Sequence, residues 1–448
     1  MGGAFSKSSA MTVLADPRYT RCEKLLPNEQ ALLQQGPSPI GTITWMEGSQ
    51  ADAAKELHRR LKCLCHMNPW LTGRIVWRGK KQEAHIVYPP RLAEDGDDDD
   101  LMDCLFTCVD APLDGSIHHE EADFTKLPQV LSTHGALLMP KRDTEQPLIR
   151  VSMIPSSRTK SGKTVFGVVV SMSHVVVDGH SYYQIYNALM NENDPTRMPR
   201  IQVERITESP ALKDTAIGKE NLVFLAPGML ASLVGGLLYD MLMWPLRKSQ
   251  LRIEKSIAFI DTKKIIEMKR YAMAKGEKEE NNECKFVSTN DIVTSWFLSK
   301  SKAHYGFMAI NLRDRLKGHS PSLGGNYSEL LFYRTPSDTL CPTFVRQSLT
   351  TLKRTQTINQ KPSFFELATG RSSFVTNWAS FASGSISIPG SRLVTHFPMV
   401  DLSANVMPST MAFCVIFRAK ADQLGVLFAG AAYRMQDMVK NLPFSCGN

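Results

Sequence analysis

The stretch SMSHVVVDGHSYYQIYNAL, residues 171–189, contains the transition on which the fold depends. It continues the valine-rich run TVFGVVVSM, which predicts a buried strand. The segment SYYQIYNAL has apolar residues at helical spacing and predicts a helix. His174, Asp178 and Gly179 therefore lie where a strand is followed by a tight turn and a helix. Such a corner holds a side chain in one orientation, and Gly179 supplies a backbone shape that other residues resist.

His174 has the chemistry of a general base, because a neutral imidazole accepts protons near neutral pH. A positioned histidine that takes a proton from an attacking hydroxyl typically contributes a factor of ~10²–10⁴ to the rate. Asp178 is open to two interpretations: its carboxylate pairs with His174, or it points away and holds the loop against an arginine. A metal site built on His174, Asp178 and His180 is disfavoured, because no further ligand is evident.

Composition limits the protein class. A chain of 448 residues predicts two or three domains, and 43% hydrophobic with 21% charged residues is typical of a soluble globular protein. The nine scattered cysteines indicate reduced thiols and a cytoplasmic protein. Cys63, Cys65 and His66 lie within a helical pattern, which favours a plain helix over a metal site.

The net charge of +8 suits attraction to phosphates or to an anionic membrane face. No basic-aromatic block is present, so nucleic-acid binding is disfavoured. The chain also lacks the Gly-x-Ser-x-Gly elbow of serine hydrolases and the Gly-x-Gly-x-x-Gly fingerprint of dinucleotide-binding proteins. Nucleic-acid binding, serine hydrolysis and dinucleotide binding are therefore disfavoured by the sequence alone.

Two segments suggest contact with a membrane. MGGAFSKSS has Gly2 and Ser6 where N-myristoylation requires them, and the alternative is a chance run of small residues. Residues 222–246, LVFLAPGMLASLVGGLLYDMLMWPL, are the most apolar on the chain. Their length permits a membrane span, but Pro227, the glycine pair at 235–236 and Asp240 oppose one. A helix that lies on a membrane or lines a substrate channel, and a buried core helix, are the other two interpretations.

The order of patterns predicts two halves of similar content. We predict a flexible N-terminus at 1–17, an N-terminal lobe at 18–200, a crossover at 201–255 and a C-terminal lobe at 256–448. The local patterns predict a helix at 51–67, strand pairs at 73–79 with 83–89 and at 147–155 with 164–173, a helix capped near 288–290, and strands at 411–419 and 424–432.

Ordered motifs along the chain resemble those of one superfamily of acyl-CoA-dependent acyltransferases. They are LHRRLKCLCHMNPWLTGRIVW at 57–77, HVVVDG at 174–179, VSTNDIVTSW at 287–296, NLRDRL at 311–316 and GGNY at 324–327. The superfamily includes chloramphenicol acetyltransferase, the plant BAHD enzymes, the fungal trichothecene acetyltransferases and the condensation domains of peptide synthetases. The resemblance covers about residues 18–440, and the His-x-x-x-Asp-Gly motif marks it most clearly. Within the superfamily, the chain resembles the BAHD type.

The resemblance implies an α/β fold of two similar lobes, each a mixed sheet flanked by helices, with an active-site tunnel between them. It implies that His174 deprotonates the acceptor hydroxyl or amine, which attacks the acyl-CoA thioester without an acyl-enzyme. Asp178 is then mainly structural, with Arg313 as its salt-bridge partner, and Gly179 leaves room for substrate. No permanently bound cofactor or metal is implied. Thr376, Asn377 and Trp378 resemble a short stretch near the BAHD acceptor pocket.

The chain departs from the plant pattern at one motif. It has no Asp-Phe-Gly-Trp-Gly near the C-terminus, where FPMVDLSANVMP stands at 397–408, so the acyl-CoA contacts stay unassigned. The apolar segment 222–246 suggests a lipophilic acceptor. Together with N-myristoylation of Gly2, it suggests a cytoplasmic protein that associates peripherally with a membrane. We expect the protein to be a monomer. The alternative function is that of a catalytically inactive member serving as a membrane-associated binding or scaffold protein.

Overall fold

A computed structural model of the protein describes residues 17–35, 39–78, 83–92, 99–109, 146–158, 164–191, 194–276, 284–354, 357, 363–382, 386–400, 407–440 and 442–445. Residues 1–16 of the predicted flexible segment, with Gly2, lie outside the described residues, as do residues 401–406 of the FPMVDLSANVMP segment. The predictions made for those residues stay predictions.

The described elements alternate between strands and helices along most of the chain. The strands are β1 (Arg21–Lys24), β2 (Ile40–Gly48), β3 (Arg74–Arg78), β4 (Glu83–Tyr88), β5 (Phe106–Cys108), β6 (Ile149–Arg158), β7 (Thr164–Met172), β8 (Ile253–Phe259), β9 (Tyr305–Asn311), β10 (Ser328–Arg334), β11 (Ser372–Asn377), β12 (Ser391–Met399), β13 (Met411–Lys420) and β14 (Gln423–Ala431). The helices are α1 (Pro27–Gln35), α2 (Gln50–Met67), α3 (Asp99–Leu105), α4 (Gly179–Asn191), α5 (Ser209–Ile217), α6 (Lys219–Leu251), α7 (Thr262–Gly276), α8 (Thr289–Lys300), α9 (Pro342–Thr351), α10 (Phe364–Thr369) and α11 (Ala432–Lys440).

Two mixed sheets form the centres of two lobes. The first has the strand order β12-β2-β7-β6-β5 and the second has the order β10-β9-β11-β13-β14-β8. Helices α2 and α4 pack together at the first sheet, and α8 packs against strands of the second. One large cluster of buried apolar side chains is centred on the first sheet, and another on the second. This arrangement confirms the predicted α/β fold of two lobes.

The locally encoded elements agree with their predictions. β6 and β7 form an antiparallel hairpin, and β3 pairs with β4 in the small sheet β1-β4-β3. The nearly continuous apolar run of β7 is explained by burial on both faces. Ser288 caps α8 with a capping box to Asp291, as the sequence indicated. Cys63, Cys65 and His66 lie in the last turns of α2.

Strand β12 comes from the second half of the chain but belongs to the sheet of the first lobe. It pairs antiparallel with β2, at the edge of that sheet. His396 of β12 is buried and its two ring nitrogens lie 3.1 Å from the Tyr183 hydroxyl and 3.0 Å from the Tyr186 hydroxyl of α4. Nδ1 of His396 is also 3.0 Å from the Thr44 hydroxyl of β2. Sequence patterns did not predict that a strand from the second half of the chain completes the first sheet. The lobe boundaries at residues 200 and 255 stay predictions.

Helix α6 follows the first lobe and corresponds to the apolar segment of the sequence. It begins after Gly218, and non-helical backbone at Arg247 divides it near its end. Among the helices in the described part of the chain, none combines the length and the apolar character that crossing a membrane requires.

Candidate active site

His174 lies in the turn between β7 and α4, two residues after the strand ends. It is half-buried, and its Nδ1 is 3.0 Å from the backbone carbonyl oxygen of Val177. A carbonyl oxygen only accepts hydrogen bonds, so Nδ1 carries the proton and donates. Nε2 of the neutral ring is then the proton acceptor. The turn therefore fixes the tautomer that a general base needs.

The carboxylate of Asp178 is bound to Arg313 from the second lobe. The two side chains are buried, and Oδ2 of Asp178 is 2.7 Å from Nη1 of Arg313. The carboxylate also accepts hydrogen bonds from the backbone N–H groups of Ser181, at 2.9 Å, and Tyr327, at 3.0 Å. The sequence left open whether Asp178 pairs with His174 or with an arginine, and the structure shows the pair with Arg313.

Arg313 is held by acceptors on every side. Its nitrogens donate to Asp178 Oδ2 at 2.7 Å, Asn311 Oδ1 at 3.0 Å, Ser181 Oγ at 2.8 Å and the carbonyl oxygens of Leu323 at 2.9 Å and Gly325 at 3.0 Å. Five acceptors match the five N–H groups of a guanidinium. A buried ion pair requires this degree of hydrogen bonding to offset its desolvation. The pair therefore joins the two lobes directly beside His174.

The surroundings of Asp178 favour its ionised form. Burial alone would raise the pKa of this carboxyl, but the charge of Arg313 and its hydrogen bond, with that of the Ser181 N–H, outweigh burial and lower the pKa. Asp178 is therefore negatively charged at neutral pH. A carboxylate that is engaged by Arg313 and by two backbone N–H groups is suited to anchoring the turn, and that role stays a prediction.

Asn326 holds the turn from the other lobe through its side-chain amide. Its Nδ2 donates to the backbone carbonyl oxygens of His174 and Val175, both at 2.8 Å. Gly325 precedes it with φ +139°, a backbone shape that favours glycine. The GGNY segment indicates only a resemblance to the superfamily, and the sequence assigns Asn326 no role. The structure shows that Asn326 fixes the backbone on which the imidazole stands.

A second buried ion pair supports Asn326. Glu29 in the first turn of α1 is fully buried, and its Oε2 is 3.0 Å from Nε of Arg205. Its other oxygen, Oε1, accepts a hydrogen bond from the backbone N–H of Asn326 at 3.0 Å. Arg205 also donates to the Gly324 carbonyl at 2.7 Å. The sequence does not indicate this role for Glu29 and Arg205, because an isolated acidic residue at a helix start is typical of ordinary capping.

Gly179 lies close to residues of the second lobe. A side chain placed there would have its Cβ 3.4 Å from the indole of Trp378 and 3.7 Å from the ring of Phe381. Trp378 follows β11 and is buried, and its ring centroid is 6.2 Å from that of Tyr183 in α4. The structure therefore brings Gly179 and Trp378 together. The prediction that the space at Gly179 admits substrate stays a prediction.

The other two residues predicted for the acceptor region differ in their surroundings. Thr376 is buried at the end of β11. Asn377 is partly exposed, and its Oδ1 accepts a hydrogen bond from the Ala379 backbone N–H at 3.0 Å, which ties its side chain to the turn after the strand. His180 is also engaged, since its Nε2 donates to the Pro321 carbonyl at 3.0 Å. Burial, followed by the charge of Arg313, lowers the pKa of His180 and favours its neutral form.

Replacing Asn326 by alanine is expected to loosen the turn that holds His174. The buried carbonyl of Val175 and the partly buried carbonyl of His174 would lose their donor, which costs about 1–3 kcal/mol of unfolding free energy. A displaced imidazole would lower kcat about 10- to 100-fold. Unfolding in denaturant and steady-state kinetics measure the two effects.

The matched control is Asn68→Ala. Asn68 is another buried asparagine, and its Nδ2 donates to the carbonyls of Leu64 at 3.0 Å and Pro199 at 2.8 Å. We expect a comparable loss of stability from this change with kcat largely retained. If Asn326→Ala lowers kcat no more than Asn68→Ala does, Asn326 has no specific effect on His174.

Comparisons of sequence identify no relative, since no family model and no curated protein matches the chain. Comparisons of structure find proteins with a similar fold. TRI101 from F. graminearum, solved with coenzyme A and T-2 mycotoxin, is 11% identical with a TM-score of 0.61, over 94% of this chain and 98% of that one. TRI101 from F. sporotrichioides, solved with coenzyme A and T-2, is 13% identical with a TM-score of 0.56, over 94% and 97%.

A third similar structure belongs to a different kind of protein. The first condensation domain of the calcium-dependent antibiotic synthetase, solved with a substrate analogue, is 14% identical with a TM-score of 0.56, over 94% of both chains. At such low identities these likenesses concern the fold, and they extend over nearly the whole of each chain. The chain has the two-lobe α/β fold of these proteins.

Proposed function

We propose that the protein is an acyltransferase that moves an acyl group from acyl-CoA to a hydroxyl of a lipophilic acceptor. The observation that carries the proposal is the fixed tautomer of His174, whose Nδ1 donates to the Val177 carbonyl between the two lobes. The fold supports it, because TRI101 structures with this fold contain coenzyme A and T-2 mycotoxin. The complete corner of His174, Asp178 and Gly179 disfavours the alternative of an inactive scaffold.

The proposed reaction is a direct transfer. Nε2 of His174 removes the proton from the acceptor hydroxyl as its oxygen attacks the thioester carbonyl carbon. The carbon–oxygen bond forms, the carbon–sulfur bond breaks, and the proton held by His174 passes to the leaving thiolate of coenzyme A. No acyl-enzyme is formed, because no nucleophilic side chain is needed when the acceptor itself attacks.

Charge develops on the carbonyl oxygen in the transition state, and a donor on the second lobe would stabilise it. Thr376, Asn377 and Trp378 are our proposals for this region and for the acceptor. Trp378 is the best supported of the three, because the structure places its indole against Gly179 beside the His174 turn. Asn377 is the least supported, since its amide oxygen is bound to the backbone of Ala379.

The test is acyl transfer by the purified full chain. Radiolabelled acyl-CoA thioesters of increasing chain length are offered with a panel of lipid-soluble alcohols, and with water-soluble alcohols as the matched control. We expect release of the coenzyme A thiol together with a labelled ester, and faster transfer to the lipid-soluble acceptors. Binding of acyl-CoA without consumption, for every acceptor, would contradict the proposal and favour the inactive alternative. Faster transfer to the water-soluble alcohols would contradict only the proposed acceptor class.

A further inference from the structure

The second half of α6 presents a broad apolar surface that no other described part of the protein covers. The large apolar side chains exposed there are Val234, Leu237, Leu238, Tyr239, Met241, Leu242, Trp244 and Leu246. Three of them are more than three-fifths exposed, with Met241 at 67%, Leu242 at 71% and Leu246 at 80%. We call residues 234–252 the α6 surface. Most other exposed large apolar residues on the described part of the chain are scattered, which is normal for a soluble protein.

The helix is fixed to the second lobe along its opposite side. Gly236 is buried, and a Cβ there would overlap the side chain of Thr410. Asp240, one helical turn later, accepts hydrogen bonds from the backbone N–H of Ser409 at 2.7 Å and from its hydroxyl. Residues four apart lie on one face of a helix, so these two define the face that is turned inward. The exposed apolar side chains occupy most of the remaining circumference.

The charges at the end of the α6 surface are positive. Its one acidic residue is Asp240, which is bound to Ser409, whereas Arg247, Lys248 and Arg252 are exposed. Nη2 of Arg252 also lies 3.6 Å from Oε1 of Glu254, so Arg247 and Lys248 carry most of the free positive charge. Nζ of Lys248 lies 5.6 Å from the centroid of the Trp244 ring. Apolar side chains with Trp and Tyr, followed by basic residues, are typical of helices that lie in the surface of a membrane. The basic end is complementary to anionic headgroups.

From this geometry we infer that the α6 surface docks the protein on an anionic lipid bilayer. The apolar side chains enter one leaflet while Arg247, Lys248 and Arg252 contact the headgroups. The width of the apolar arc favours a bilayer over a second copy of the chain, because a helix pair buries a narrower stripe. The inference does not depend on N-myristoylation or on the proposed acyl transfer.

The test measures binding of the unacylated full chain, carrying Gly2→Ala, to sedimented lipid vesicles. The chain with an unchanged α6 surface should bind vesicles that contain phosphatidylserine, and it should bind vesicles of pure phosphatidylcholine more weakly. Its affinity for the anionic vesicles should fall as the salt concentration is raised. The double variant Leu238→Glu, Leu242→Glu should bind at least about tenfold more weakly. Reversing charge with Lys248→Glu and Arg252→Glu should weaken binding to the anionic vesicles alone.

The matched control is Leu340→Glu, which changes a leucine that is 66% exposed on a different part of the second lobe. Its binding should equal that of the unchanged α6 surface. Equal binding by the Leu238→Glu, Leu242→Glu variant would overturn the inference, as would failure of the parent chain to sediment. So would a dimer that this variant dissociates, since it would identify a second copy as the partner. Acyl transfer to a water-soluble acceptor should be unaffected in the Leu238→Glu, Leu242→Glu variant. This result separates the test of membrane docking from the test of the proposed function.

Discussion

Replacing His174 by alanine is expected to lower kcat by a factor of ~10²–10⁴ while the protein remains folded. The half-buried ring stands on a turn whose backbone is held by Asn326, so its removal leaves the turn's main supports in place. The reaction loses the group that accepts the hydroxyl proton. Steady-state kinetics with acyl-CoA and an acceptor alcohol measure the effect, and thermal unfolding checks that the fold survives.

His174→Asn is the informative companion to the alanine variant. An asparagine amide can still donate to the Val177 carbonyl, as Nδ1 of His174 does at 3.0 Å, but it offers no basic nitrogen. We expect this variant to be as inactive as the alanine variant. Recovery of activity in His174→Asn would show that the imidazole orders the turn and is not the base. Full activity in both variants would refute any role for the side chain.

Removing one partner of the Asp178–Arg313 pair is expected to destabilise the fold strongly. Arg313→Met leaves a buried carboxylate without its counter-ion, which costs about 3–5 kcal/mol of unfolding free energy. The double variant Asp178→Asn, Arg313→Met should cost less than the sum of the two single changes, because the pair acts as a unit. Unfolding in denaturant measures the change in unfolding free energy for each variant. The control is Lys24→Met, which breaks the exposed pair with Glu83 at 2.8 Å and should cost at most about 1 kcal/mol.

The same pair predicts a dependence of stability on pH. The pKa of Asp178 is lower in the folded protein than in the unfolded chain, where it is about 3.9. Its contribution to stability is therefore complete above that value and is lost as the pH falls through the folded-state pKa. The loss should be smaller in Asp178→Asn. An Arg313→Met variant as stable as the wild type would contradict the anchoring role, and a stable but inactive Asp178→Asn would indicate that Asp178 acts in catalysis.

Much of the fold could be predicted because it is encoded by local patterns. The β6–β7 hairpin, helix α4 and the Ser288 cap of α8 each follow from apolar periodicity or capping residues within a few positions. The strand-to-helix corner placed His174 for the same reason. The pairing of Asp178 with Arg313, 135 residues away, came from the resemblance, because periodicity carries no information about such distant contacts.

The contacts that could not be predicted all depend on residues distant in sequence. Glu29 contacts the backbone of Asn326 across 297 residues, and Glu29 has no local pattern that distinguishes it from an ordinary surface residue. The apolar segment 222–246 was recognised, but its sequence could not show which side is bound to the Ser409 loop. Only the contacts of Gly236 with Thr410 and of Asp240 with Ser409 show which side faces the protein.

The position of β12 has a consequence for synthesis of the protein on the ribosome. Thr44 of β2 and His396 of β12 are 352 residues apart in the chain, so the first lobe is synthesised long before its last strand. Until residues 391–399 emerge, β2 has an open edge of unpaired N–H and C=O groups, which can pair with a neighbouring nascent chain. Completion of the first lobe must wait until most of the second has been translated, and aggregation competes with folding during that interval.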